Sequence, residues 1–283
     1  MMIKLLGKRT WCNIILIATL GVYLLGLSNF IFISVNDPVD VALPLQQLSP
    51  SEVAIVTYYV SQKNTSHKVH YSRDYYGRVA NLTMTNLARY SQKHGMGFFF
   101  MNADMVDTNT KSAYWGKMDV IDHYLNLGYR WVIWTDIDVL FMDFSRSIFN
   151  EWIKPANAST HLLFVDECKA GKSDTGPVRS GFFAVRNSHE GKVFLESWKH
   201  TFNSYKHRKN PEQSALEGMM KNQRWSSIAH VSSHLDMHTY PKCYNGSTLS
   251  LHFPGNYKHY LDQYLNRVNA SSAMSDFMII VPG

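Results

Sequence analysis

Between Arg9 and Asp37 the chain carries no charged residue, and from Cys12 to Val35 it is interrupted only by Asn13, Thr19, Ser28, Asn29, Ser34 and glycines. About 20 apolar residues cross a bilayer core as a helix, so a membrane-spanning segment is expected over residues 10–35. A secretory signal has a shorter apolar region, roughly 7–15 residues, followed by a small-residue cleavage site. No such site follows clearly, and a cleaved signal is the alternative. Lys4, Lys8 and Arg9 precede the run with no acid among them. The positive-inside rule then puts residues 1–9 in the cytosol and the rest in the lumen or outside, a single-pass type II topology. Residues 36–50 turn to Asp, Pro, Gln and Ser and reach at most about 50 Å when extended, as a stem would. Residues 51–283 remain as one lumenal domain.

Composition narrows what that domain does. The chain is 45% hydrophobic and 18% charged, which excludes a disordered, collagen-like or coiled-coil protein. Of 28 basic residues three lie in the first nine, leaving 25 against 22 acids. So slight and scattered an excess is no nucleic-acid footprint, and no nucleic-acid partner is expected. Three cysteines are too few for a disulfide scaffold. Cys12 sits in the apolar run, while Cys168 and Cys243 either pair in an oxidising lumen or stay as buried thiols. Five Asn-x-Ser/Thr sequons occur, at Asn64, Asn81, Asn157, Asn245 and Asn269. About three would arise by chance, so they favour a glycosylating compartment only slightly.

Within the domain, Val53–Tyr59 reads as a buried strand. Arg78–His94 reads as a helix that Gly95 stops, and Met96–Phe100 as a second strand. Lys111–Leu127 is an amphipathic helix ended by Gly128. Arg130–Asp143 is a third strand, apolar on both faces. Strands at Leu162–Val165 and Gly181–Arg186 and helices at Phe194–Phe202 and Gln213–Lys221 complete the pattern. Alternating strands and helices predict an α/β fold, a mostly parallel sheet with helices on both faces. Neither a G-x-G-x-x-G nor a P-loop occurs. A bound nucleotide would therefore need something other than a helix N-terminus to neutralise its phosphates.

Asp136-Ile137-Asp138, at the carboxyl end of the third strand, supplies a candidate. Ligands of open α/β sheets bind outside the carboxyl ends of strands. Residues i and i+2 of an extended segment face one side, so both carboxylates converge and Ile137 turns back toward the core. Such a pair suits Mg²⁺ or Mn²⁺, and a metal there can neutralise a diphosphate leaving group. The plainer alternative is two acids capping a strand end against solvent or a lysine.

Tyr114-Trp115-Gly116-Lys117, followed by Tyr129-Arg130-Trp131-Val132-Ile133-Trp134-Thr135-Asp136-Ile137-Asp138-Val139-Leu140-Phe141-Met142-Asp143, resembles glycosyltransferase family 34. That family includes fungal Golgi α-galactosyl- and α-mannosyltransferases and plant xyloglucan xylosyltransferases. Arg179-Ser180-Gly181-Phe182-Phe183-Ala184-Val185-Arg186-Asn187 with Trp198 downstream, Pro211-Glu212-Gln213-Ser214-Ala215-Leu216, and Leu251-His252-Phe253-Pro254-Gly255 are similar to further family blocks, in the same order. One departure is Asn256, where the family usually has cysteine. His252-x-x-Gly255-x-x-Lys258 looks instead like the corresponding motif of glycosyltransferase family 8. Both families are retaining and share the GT-A fold.

The resemblance implies a third metal ligand, His252, beside Asp136 and Asp138, and with an imidazole Mn²⁺ comes ahead of Mg²⁺. It implies donor contacts from Lys117, Asp136, Ser180, Gly181, Gly255 and Lys258, and by fold analogy from Thr57 and Tyr58 at the end of the first strand. Without it, Lys117 reads as a solvated residue. Gln213, with Glu212 beside it, is expected near the anomeric carbon, opposite the leaving group. His230, His234 and His238 lack the glutamate of a zinc helix and are expected to be structural. The implied activity is metal-dependent, retaining transfer of a hexose or pentose, a hexose first. The donor would be a UDP- or GDP-sugar, the acceptor a glycan or glycoconjugate, and the place a Golgi membrane. The alternatives are a non-catalytic GT-A fold that binds glycans or chaperones a partner, and a metal-dependent phosphohydrolase.

Overall fold

In a computed structural model, residues 48–59, 73–102, 113–166, 168 and 178–271 are described. The expected anchor, nearly all of the stem, Cys12 and Asn64 lie outside them. Among the described residues no helix is long and apolar enough to cross a membrane.

In chain order the main elements are β1 (Val53–Tyr59), α1 (Arg73–Lys93), β2 (Gly97–Asn102), α2 (Gly116–Asn126), β3 (Trp131–Thr135), β4 (Val139–Phe141), β5 (Leu162–Val165), β6 (Phe182–Arg186), α3 (His189–His200), α4 (Pro211–Met220), β7 (Ala229–Ser232), β8 (His238–Thr239), β9 (Ser250–His252) and α5 (Leu261–Ser271). Six strands form the central sheet in the order β2-β1-β3-β6-β5-β7, and β4-β9-β8 form a small second sheet. The central sheet is largely parallel, but β6 runs antiparallel to both β3 and β5.

The strands are apolar on both faces because both faces are covered. Ala54, Val56, Val132, Trp134, Phe164 and Phe183 pack on one side with α2, α3 and α4 residues such as Met118, Trp198 and Leu216. Their alternating neighbours Val53, Ile55, Trp131, Ile133, Leu163 and Phe182 pack on the other with Leu87 and Tyr90 of α1. Period-2 alternation with no polar face is what a sheet buried on both sides requires. Ser188 starts α3 by accepting a bond from the Gly191 N–H at 3.1 Å, which satisfies one of the donors a helix N-terminus leaves over.

The expected single strand Arg130–Asp143 is a correction. It breaks after Thr135, turns at Ile137 and Asp138, and resumes as β4 in the other sheet. Asn86 of α1 stands in for a missing strand neighbour: it donates to the Phe141 carbonyl at 3.0 Å and accepts from the Phe141 N–H at 2.8 Å. Such a bond pair lets an edge strand lie against a helix without orphaned backbone groups.

Cys168 and Cys243 are bonded, across 75 residues of sequence. Closing so long a loop removes entropy chiefly from the unfolded chain, and reduction is expected to cost about 2–4 kcal/mol. Thermal melts with and without reductant, or of Cys243→Ser, check this as a lowered Tm.

Candidate active site

The break after β3 builds the site. The Asp136 N–H donates to the Gly181 carbonyl at 2.8 Å, and the Phe253 N–H to the Asp138 carbonyl at 2.9 Å. The Asp-Ile-Asp turn is thus clamped between the start of β6 and the end of β9. Val139 also pairs in register with His252. Ligand atoms of Asp136, Asp138 and His252 consequently lie within 4.8 Å of one another. The carboxylates converge as expected, though through a turn rather than an extended strand, and Ile137 is half-buried at that turn instead of pointing into the core.

Each ligand is oriented from behind. His252 Nε2 stands 3.0 Å from Asp138 Oδ1 and 3.8 Å from Asp136 Oδ2. Trp134 Nε1 donates to Asp136 Oδ1 at 2.8 Å. Lys258 pairs with Asp138 Oδ2 and donates to the Phe253 carbonyl at 3.3 Å. Burial works to raise the Asp138 pKa, but Lys258 and then His252 outweigh it and hold the carboxyl far below the usual range.

Lys117 is buried, which corrects the solvated reading. Its ammonium lies 3.4 Å from Asp136 Oδ1, 3.0 Å from the Ser180 carbonyl and 3.5 Å from Glu212 Oε1. Burial alone would lower its pKa; Asp136 and Glu212 reverse that and raise it. Glu212 Oε1 also accepts from Ser180 Oγ at 3.3 Å, while its buried Oε2 has no partner among the described residues. Gln213 accepts from the Ser180 N–H and donates to the Val178 carbonyl and Glu217 Oε1, each at 2.8 Å. Its amide thereby braces the Ser180–Gly181 segment under the metal group.

Two glycines here act for different reasons. A Cβ at Gly181 would meet His252 Cε1 at 2.8 Å, closer than real Cβ contacts come, and Asp136 Oδ2 at 3.0 Å, tighter than most. At Gly255 nothing lies within 4 Å, but φ is +53°. The left-handed backbone there, which favours glycine, opens the turn Gly255–Tyr260 that returns Lys258 to Asp138. Glycine at 255 is thus a matter of conformation rather than of space.

Thr57 and Tyr58 part company. Tyr58 packs on Trp134 with centroids 5.2 Å apart, and burial, followed by Asp136 and Glu212, pushes its hydroxyl pKa up. Thr57 is fully buried and by alternation belongs to the opposite face of β1. Of the three histidines expected to be structural, His230 is exposed on β7 and His234 Nδ1 lies 2.7 Å from Asp166 Oδ1. His238 is buried next to the metal group, its ring 5.5 Å from that of His252. Burial lowers its pKa well below the ordinary value, and His252 and Arg179 add to the effect. Nothing in the local sequence around His238 marks it; only the pairing of β8 with β9 does.

The donor set fits a divalent cation. Two carboxylates and an imidazole converge, and the missing Cβ at Gly181 leaves the space that keeps two of them in place. Residues 51–175 match the galactosyl transferase GMA12/MNN10 family. The family match runs from β1 through the Asp-Ile-Asp turn and past β5, and it agrees with the resemblance drawn from the motifs. No curated protein matches the chain. Among solved structures, a glycosyltransferase involved in glycosylation of the major capsid of PBCV-1 superposes with a TM-score of 0.58 at 14% identity, covering 76% of this chain and 98% of that one. At such identity the likeness is one of fold, a GT-A-like α/β glycosyltransferase fold. LgtC, a galactosyltransferase solved with donor and acceptor sugar analogues, aligns at 12% identity over 79% of this chain and 98% of its own, with a TM-score of 0.46.

Proposed function

We propose that the chain is a metal-dependent retaining glycosyltransferase. It would move a hexose or pentose from a UDP- or GDP-sugar to a glycan or glycoconjugate acceptor, from a type II anchor at residues 10–35 in a Golgi membrane. The observation that carries this reading is the Asp136–Asp138–His252 group, flanked by two buried lysines at the end of the sheet. The match of residues 51–175 to a transferase family supports it. The bonded Cys168–Cys243 pair and the exposure of Asn81, Asn157 and Asn245 suit an oxidising, glycosylating lumen.

Mn²⁺ or Mg²⁺ held by Asp136, Asp138 and His252 would supply charge to a departing nucleoside diphosphate. The residues of the chain do the rest. Lys117 and Lys258 add fixed positive charge at the same place, and preorganised charge of this kind commonly provides most of an enzyme's rate acceleration. Glu212 Oε2, buried without a partner among the described residues, offers an acceptor for a hydroxyl of the transferred sugar. Gln213 and Lys117 hold Ser180, so that the backbone at Gly181 can lie against that sugar. In transfer with retention the bond from the anomeric carbon to phosphate breaks. The acceptor oxygen bonds the same face, and its proton passes to the leaving phosphate. No side-chain base is then required.

Incubated with Mn²⁺ and a panel of UDP- and GDP-sugars, the purified protein is expected to release nucleoside diphosphate slowly by transfer to water. EDTA should stop the release, and the productive donor names the sugar. Neither release nor Mn²⁺-dependent nucleotide binding with any donor would refute the reading.

A further inference from the structure

Beside the metal group lies a small cleft of about 10 Å³, room for one water or hydroxyl, whose walls include Arg179, His238, Tyr240 and His252. His238 is 3% exposed and stacks on Phe182 with centroids 4.4 Å apart. Its Nδ1 is 2.9 Å from Ser250 Oγ, and Ser250 Oγ donates to the Met237 carbonyl at 2.9 Å. A serine hydroxyl has one proton. With that proton on Met237, Ser250 can only accept from His238. Nδ1 therefore carries the imidazole proton, and Nε2 is left as a bare lone pair. It has no hydrogen-bond partner among the described residues. Burying an acceptor without a donor is unfavourable, and such an atom on a residue that lines a cleft calls for an explanation.

The missing partner must bring a proton. A fully ionised phosphate oxygen has none to offer the lone pair. A cation would share the cleft with the Arg179 guanidinium, a like charge. Nor does His238 belong to the metal group, which among the described residues consists of Asp136, Asp138 and His252. A neutral hydroxyl remains. Tyr240, stacked face to face on Tyr257 at 5.9 Å and 5.8 Å from the His252 ring, adds an aromatic wall. An aromatic surface with one well-placed polar atom is how small polar ligands are oriented.

We propose that His238 Nε2 accepts a hydrogen bond from a sugar hydroxyl, making this cleft a specificity-determining subsite next to the metal group. The proposal rests on the transferase reading above. The hydroxyl belongs either to the transferred sugar or to the acceptor sugar, and two arms of one experiment tell them apart.

The donor arm measures hydrolysis of the productive nucleotide sugar and of its singly deoxygenated analogues, with no acceptor. The acceptor arm measures transfer to methyl α-galactoside, methyl α-mannoside, methyl α-glucoside and their deoxy forms. The wild-type protein should disfavour one deoxy compound by about 10–100-fold, as expected when a buried polar group loses its hydrogen-bond partner. His238→Phe keeps a ring on Phe182 but has no acceptor, and its preference should shrink to within about threefold. His238→Asn, which retains an acceptor, should recover part of the preference and carries the test if the phenylalanine variant melts early. Collapse in the donor arm assigns the hydroxyl to the transferred sugar; collapse in the acceptor arm alone assigns it to the acceptor. If the wild type tolerates every deoxy compound, or the folded variants discriminate as it does, Nε2 holds only water. The proposal is then wrong while the transferase reading stands. If no donor is turned over by the wild type, the fault lies with that earlier reading, and the subsite falls with it.

Discussion

Asp138→Asn is expected to lower nucleoside diphosphate release by about 10³-fold or more and to destabilise the fold as well. Asparagine keeps the shape of the side chain but removes the negative charge, and hard divalent cations are held by charged oxygens. The same carboxylate faces His252 Nε2 at 3.0 Å and the buried Lys258 ammonium. Removing one member of a buried ion pair costs about 3–5 kcal/mol, because the other charge stays behind uncompensated. Activity and stability then part in the double variant Asp138→Asn/Lys258→Met. Without the stranded ammonium it should regain much of the lost Tm and yet stay inactive. Melts and release assays on both variants check the pair of outcomes. Asp138→Asn with activity within tenfold of wild type would mean that this group is not the metal site.

Gly181→Ala should leave the fold intact, weaken Mn²⁺ binding by about 10–100-fold and reduce turnover at least as much. That range is typical when groups orienting a metal ligand are disturbed. The added carbon would stand 2.8 Å from His252 Cε1 and 3.0 Å from Asp136 Oδ2. Neither neighbour can give way freely. Asp136 is fixed by Trp134 Nε1 at 2.8 Å and by Lys117, and His252 by Asp138. Gly255→Ala is the contrasting variant. Nothing crowds it, so its cost, about 1 kcal/mol from the positive φ, should appear in stability before metal affinity. Titration of free Mn²⁺ by electron paramagnetic resonance, alongside melts, separates the two. Equal metal affinity in wild type and Gly181→Ala would remove the steric argument.

Much of this was legible in advance where the signal is local. The doubly apolar strands Val53–Tyr59, Leu162–Val165 and Phe182–Arg186 form where periodicity puts them, within a residue or so. The helix stop at Gly95 and the convergence of Asp136 with Asp138 also hold. The long third strand did not, because β-propensity through Val139-Leu140-Phe141 says nothing about which sheet a strand joins. The small second sheet and α5 were missed altogether. The two- and three-residue strands β8 and β9 are too short to show a period, and they exist because partners from distant parts of the chain satisfy their backbone groups.

By itself the sequence determined the α/β class, the carboxylate pair at a strand end, and through its motifs the family resemblance and the candidate ligand His252. These depend on residues near one another in the chain or on blocks kept in order. Only the tertiary structure decided that Lys117 is buried between Asp136 and Glu212 rather than solvated, that Gln213 braces Ser180, and that Cys168 meets Cys243. It alone brought His238, a residue with no motif, against the metal group with one nitrogen unpartnered among the described residues. The physical reason is common to all of these. Burial, charge compensation and the satisfaction of a lone pair depend on which atoms surround a group, and those atoms come from elements as many as 95 or 120 positions apart in the chain.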